Sequence, residues 1–241
     1  MCDLSNLKEA DVGSLGTALA ATASGAFSME EAANRIVKHL YENLTDKATG
    51  NKSCALVRFY KTHPYRELDP ELRRFAQKIL GHPPQSDNMK CLTLLATAGE
   101  KAEWNSRAKS VGHKAIPLPS EQFVSEIPMI SRLVSQFGLD VNAVIRPDPC
   151  LLADLDQGTY NAFHVPEAVG SPYIPAQKDF VIPHGVQSVL GFGGMLSTGD
   201  LFAVILFAKI HVPRAMTDPV KSLALRVKEA VHRFVEGKVF T

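Results

Sequence analysis

The sequence lacks the cysteine pattern of a metal knuckle or a disulfide framework. Its four cysteines, Cys2, Cys54, Cys91 and Cys150, stand far apart and form no CxxC pair, so a reducing compartment is the simplest reading. It also lacks an excess of either charge. The 26 basic residues stand against 25 acidic ones, for a net charge of +1. That removes the broad field that draws nucleic acid or an anionic membrane surface. Long apolar runs are missing too. The longest, Leu201 to Ala208, is far short of a bilayer span. The Ala-rich stretch from Leu15 to Phe27 resembles the apolar part of a signal peptide, but Asp3, Glu9 and Asp11 outnumber Lys8 ahead of it, the wrong charge for one. The expected location is the cytoplasm, with no membrane insertion and no nucleic-acid partner.

Catalytic signatures are absent as well. There is no GxxxxGKS/T, no HExxH and no GxSxG. GFGGML fails the dinucleotide pattern, because Leu196 sits where the third glycine belongs. His232 has no phosphoacceptor surroundings.

What is there is periodic at both ends. Met29, Ala32, Ala33, Ile36, Val37, Leu40, Tyr41 and Leu44 make one face of an amphipathic helix, opened by the Ser28/Glu31 capping box. Val220, Leu223, Ala224, Val227, Val231 and Phe234 form a second stripe after Asp218-Pro219. A weaker pattern allows a helix from Asp11 to Ala23. CALVRFYK (54–61) and KCLTLLATA (90–98) read as strands. Between them Asp69-Pro70 caps a helix that Gly81 stops. Pro128 to Phe137 reads as another helix, stopped by Gly138. Six prolines fall between Pro147 and Pro183, around a short strand from Tyr160 to Val165. Two apolar strands, 187–196 and 201–211, follow, joined by a Ser-Thr-Gly-Asp turn. The first carries Gly191, Gly193 and Gly194. Glycine there costs packing and backbone entropy, so it marks close approach of a ligand or a helix, or a β-bulge.

The expected fold is α+β: a central antiparallel sheet of five or six strands, the 28–44 and 218–236 helices on one face, and a helical and loop insert over the other. The chain divides into an N-terminal segment, 1–27, and a domain, 28–241, with the insert at about 99–150.

The order of these pieces resembles the GAF domain, a small-molecule sensory module of bacterial signalling proteins and cyclic-nucleotide phosphodiesterases. SMEEAANRIVKHLYENL with CALVRFYK resembles its opening helix and first strand. FHVPEAVGSPYIPAQKDFVIPHGVQSVLGFGGML, GDLFAVILFAKI and TDPVKSLALRVKEAVHRFV resemble its loop, central strands and closing helix. The resemblance covers roughly residues 28–236. The longer connection at 99–150 and the added helix in HPYRELDPELRRFAQKILG depart from it, so ligand identity does not carry over. The resemblance implies a non-catalytic sensory domain that binds a small molecule between the sheet and the 99–183 segment. It also implies a homodimer through the terminal helices and a kinase or cyclase output domain as partner. One GAF branch reduces free methionine sulfoxide with pocket cysteines. That gives a thiol-reductase alternative, beside a ligand-free dimerisation or interaction module.

Candidate ligand-binding residues follow: His164, His184, Tyr173, Phe163, Gly193, Gly194, Cys91 and His113. His113, His164 and His184 lie in irregular or pocket-forming segments. A neutral imidazole there suits haem iron, another metal or an anionic ligand, or is a loop histidine satisfied by backbone. Cys91, Cys54 and Cys150 are the thiols a sulfoxide reductase would draw on, or small buried hydrophobes. Bilin attachment would also use a cysteine, but no chromophore motif surrounds any of the four. Trp104, Phe123, Tyr160, Phe163 and Tyr173 either line an apolar pocket or pack a loop on the sheet. Arg107, Lys109 and Lys114 either receive an anion or form a solvated face.

Overall fold

The computed structural model describes residues 1–147 and 160–240. Its centre is a six-stranded sheet in the order β5-β4-β3-β8-β7-β6, from β3 (Cys54–Pro64), β4 (Lys90–Gly99), β5 (Ala115–Leu118), β6 (Asn161–Val165), β7 (Ser188–Met195) and β8 (Leu201–Ala208). Every neighbouring pair is antiparallel. Two short strands, β1 (Cys2–Asp3) and β2 (Leu44–Thr45), pair separately and in parallel.

Strand alternation sends one set of side chains to each face. Val57, Phe59, Phe192, Phe202, Val204 and Leu206 meet the terminal helices. Those helices are α1 (Glu9–Ala23), α2 (Met29–Asn43) and α7 (Thr217–Val231). Leu56, Leu94, Val189, Ala203, Ile205 and Phe207 face the insert. The insert consists of α4 (Glu121–Ser125), α5 (Pro128–Gln136), α6 (Val141–Ile145) and a π-helical turn, Gln177–Val181. A bulge opposite Phe59/Tyr60 adds Leu95 to β4, so that both Leu95 and Ala96 join the helix-side core. A third, smaller core lies under α3 (Pro70–Leu80) at the β4–β5 edge.

The caps read in the sequence are made. Ser28 Oγ accepts from Glu31 N at 3.1 Å, and the Glu31 carboxylate returns to Phe27 N at 2.9 Å. Asp69 caps α3 through Leu72 N at 2.8 Å, and Gly81 ends it at φ 76°. The N-terminal segment is not separate in packing. Leu15, Leu19 and Ala23 of α1 belong to the same core as α2 and α7. At Gly16 the two helices touch: a Cβ there would lie 2.7 Å from Arg226 Cγ. Among the described residues no helix is long and apolar enough to cross a membrane.

Candidate functional site

The glycines of β7 answer a packing problem. A Cβ on Gly193 would lie 2.1 Å from Phe202 O and 2.9 Å from Phe137 Cε2. One on Gly191 would lie 2.7 Å from Ile205 Cδ1. Pairing of β7 with β6 and β8 runs without a register shift, so this is not a bulge. The close approach is made by the protein itself: Phe137, at the C-cap of α5, seats the insert on β7. Gly194 lies opposite Phe202 in the register. The end of α5 also holds edge strand β6. Gln136 Oε1 accepts from His164 N at 2.6 Å, Gln136 Nε2 donates to His164 O at 3.1 Å, and Asn161 Nδ2 donates to Phe137 O at 2.7 Å.

His164 is buried, and its Nε2 is 2.8 Å from Val212 O, on the link toward α7. Burial pulls its pKa down. His184 packs edge-on to Trp104 at 4.6 Å and near Phe180 at 5.8 Å, with Nδ1 3.8 Å from Glu100 Oε2. Both imidazoles are held by these contacts within the chain. Phe163 is fully buried in the insert-side core. Tyr173 packs at that core's edge under the Arg132 guanidinium. His113 is an exposed loop residue at φ 58°. Cys91 is buried under α3, where burial pushes its thiol up to about 12. Burial does the same to Cys54. Cys54 opens β3, whereas Cys91 pairs with His63 toward the other end. At ~3.3 Å per residue the two lie roughly 30 Å apart, against the roughly 7 Å a disulfide allows. Cys150 lies outside the described residues.

The basic cluster is answered from within the chain. Arg107 bonds Glu30 at 2.9 Å and Asp69 at 3.2 Å, and Lys114 bonds Glu71 at 2.6 Å. Lys109 is exposed.

Sequence reasoning missed a buried charge cluster. Lys61 Nζ lies 2.8 Å from Asp200 Oδ2, and Lys90 Nζ lies 2.5 Å from Asp200 Oδ1. Thr198 and Thr62 hydroxyls complete the shell. Burial alone would raise the Asp200 pKa, but the two ammonium groups outweigh it and hold the carboxyl down at about 2. Beside it, His63 is fully buried, and among the described residues neither ring nitrogen has a hydrogen-bond partner. Burial, then Lys61, drives its pKa well below the usual value. Phe240 covers the ring at 5.2 Å. The tail carrying Phe240 is tied to the start of α2, where Met29 N and Glu30 N donate to Lys238 O and Val239 O at 3.0 and 2.8 Å. The signal for this cluster was present: lysine ending one apolar strand, lysine opening the next, and aspartate in the hairpin turn.

A cleft of about 630 Å³ opens where the insert meets the β5 edge of the sheet. Leu118, Pro119, Ser120, Phe123, Ile145 and Arg146 line its insert side. Leu80 of α3 and the following loop, with His82, Gln85, Ser86, Asn88 and Met89, line the other. Of the aromatic residues singled out from sequence, Phe123 is the one that lines it. None of the eight candidate ligand residues does.

No family model matches the chain, and no curated protein matches it. Solved structures do resemble it. Free methionine-R-sulfoxide reductase from Neisseria meningitidis, in complex with its substrate, superposes with a TM-score of 0.50 at 11% identity, covering 96% of this chain and 94% of that one. The phycoerythrobilin-bound GAF domain of a cyanobacterial phytochrome gives a TM-score of 0.42 at 9% identity, covering 95% and 97%. With its six-stranded antiparallel sheet between terminal helices and an insert, the chain has a GAF-like fold.

Proposed function

We propose that this chain is a non-catalytic small-molecule sensory domain, cytoplasmic, with its ligand held between sheet and insert. The observation that carries the reading is the 630 Å³ cleft. Its volume is that of a small-molecule site, its floor is apolar, and a few polar groups surround it. It also touches a route to the terminal helices. Leu80 and Met89 line the cleft and belong to the small core under α3, against which Phe240 packs. Phe240 lies on the tail bonded to the first turn of α2. A ligand that prefers one arrangement of this core shifts the helices by its difference in affinity and nothing more.

The thiol chemistry of the reductase alternative needs a thiolate and a second thiol nearby. The depressed acidity of Cys54 and Cys91, and their separation along β3, support the non-catalytic reading. A homodimer through the terminal helices and a kinase or cyclase output domain belong to the same proposal. Phe27 and Leu225 are the exposed apolar side chains beside α2 and on α7.

The test is a differential one. Organic extracts of freshly purified protein are fractionated, and fractions are returned to stripped wild-type and Phe123→Ala protein. A fraction that raises the Tm of the wild type by several degrees and leaves the variant unmoved is the expected result. Turnover of free methionine sulfoxide that thiol blocking abolishes would replace this reading with the reductase.

A further inference from the structure

The lining of the cleft has one electrostatic character. Among the described residues none that lines it is an aspartate or glutamate. Arg146 is exposed there, and its side chain makes no ion pair or hydrogen bond among the described residues. Arg35 and Arg107, by contrast, are taken up by the chain's own carboxylates. Two hydroxyls add to the imbalance. Ser120 Oγ accepts from Phe123 N at 3.2 Å, and Ser86 Oγ accepts from Asn88 N at 3.2 Å. With each oxygen already used as an acceptor, each O–H proton is left to donate.

Leu118, Phe123 and Ile145 supply apolar surface next to these donors. A neutral hydrocarbon would leave a guanidinium and two hydroxyls unanswered as it displaced their water. A cation would meet Arg146 with no carboxylate among the described lining residues to offset it. An anion on an apolar body uses both halves of the site. A guanidinium fork stays charged at any working pH and pairs carboxylate, sulfonate or phosphate through two parallel bonds. We infer that the cleft takes a small organic anion with an apolar, ring-bearing body, and that Arg146 is its counter-ion. The inference rests on the sensory reading above and adds the ligand's chemical class to it.

Two fluorescent probes of similar shape test it. 1-Anilinonaphthalene-8-sulfonate carries an anion, and N-phenyl-1-naphthylamine is its neutral counterpart. Both are titrated into wild type, Arg146→Gln, Phe123→Ala and, as a charge control, Lys178→Gln. The expected result is saturable sulfonate binding that Arg146→Gln weakens about tenfold or more, the worth of a charged hydrogen bond. The neutral probe should bind more weakly and ignore Arg146→Gln. Phe123→Ala should weaken both probes, and Lys178→Gln neither. Sulfonate affinity equal in Arg146→Gln and wild type overturns the anion assignment. If Phe123→Ala still weakens the neutral probe in that case, the cleft survives as a ligand site. If neither substitution changes either probe, the cleft and the anion fall together.

Discussion

Single side chains in this protein settle matters that patterns leave open. Gly193 is one. With Phe202 O only 2.1 Å from where its Cβ would sit, Gly193→Ala must push two paired strands apart. The expected loss is about 3 kcal/mol or more, the range of overpacked cores. Gly13, in the interior of α1, has nothing within 4 Å of that point. Gly13→Ala should stabilise by about 0.5–1 kcal/mol through backbone entropy. Urea unfolding of both variants checks the pair of signs. His63 sets a pH dependence. It faces Lys61, Asp200 and Lys90, with Cys91 opposite on β4 and Arg107 over the Phe240 ring. Its ordinary pKa is 6.5, and the folded protein holds it far lower. Above pH ~6.5 both states are neutral and nothing is lost. Below it the unfolded chain binds a proton that the folded chain refuses, so stability falls as pH drops. Between pH ~6 and ~4.5, His63→Phe should remove about one proton from that slope, roughly 1.4 kcal/mol per pH unit. An unchanged slope would contradict it. Asp200 acts in a lower window. Its contribution is present above its ordinary value of 3.8 and is lost as pH falls through about 2. Asp200→Asn leaves Lys61 and Lys90 buried without their carboxylate and should cost about 3–5 kcal/mol.

The helices and strands were the most legible level. A 3.6-residue stripe gave α2 and α7, Asp69-Pro70 and Gly81 bounded α3, and Gly138 stopped α5, because caps and periods are local chemistry. β5 was not read, since four residues of AIPL show no alternation and contain a proline, tolerated here on an edge strand. α6 has five residues, too few for a period. The site was less legible for the same reason. Its walls come from a helix end, a loop, a strand edge and two short helices, brought together only by folding. Phe123 was named among several aromatics, and Arg146 gave no local signal. The tie between α5 and β6 is likewise tertiary, and it makes a prediction at this scale. Gln136→Ala removes both side-chain bonds that satisfy the His164 backbone on this edge strand. Amide exchange at His164 should accelerate about tenfold, with the β3–β8 amides unmoved. Uniform acceleration across the sheet would mean that the edge is not an independent unit.

At the scale of the whole molecule, one face of the sheet carries the helices through which a signal would leave, and the other carries the insert that holds the cleft. α1 takes up part of the apolar width that the sequence shows on α2 and α7, so the proposed dimer depends on what remains exposed. Light scattering at micromolar concentration should give twice the 26.3 kDa chain mass. A value at 26.3 kDa would remove the dimer while leaving the cleft untouched. Occupancy of the cleft is expected to reach the terminal helices through the α3 core and the tail. Hydrogen exchange, read by mass spectrometry with and without saturating 1-anilinonaphthalene-8-sulfonate, measures this coupling. Slowed exchange is expected at 118–123, and changed exchange at Met29 and Glu30, whose amides are bonded to the tail. Protection of the cleft with exchange at Met29 and Glu30 unaltered would show that the cleft does not communicate with the terminal helices.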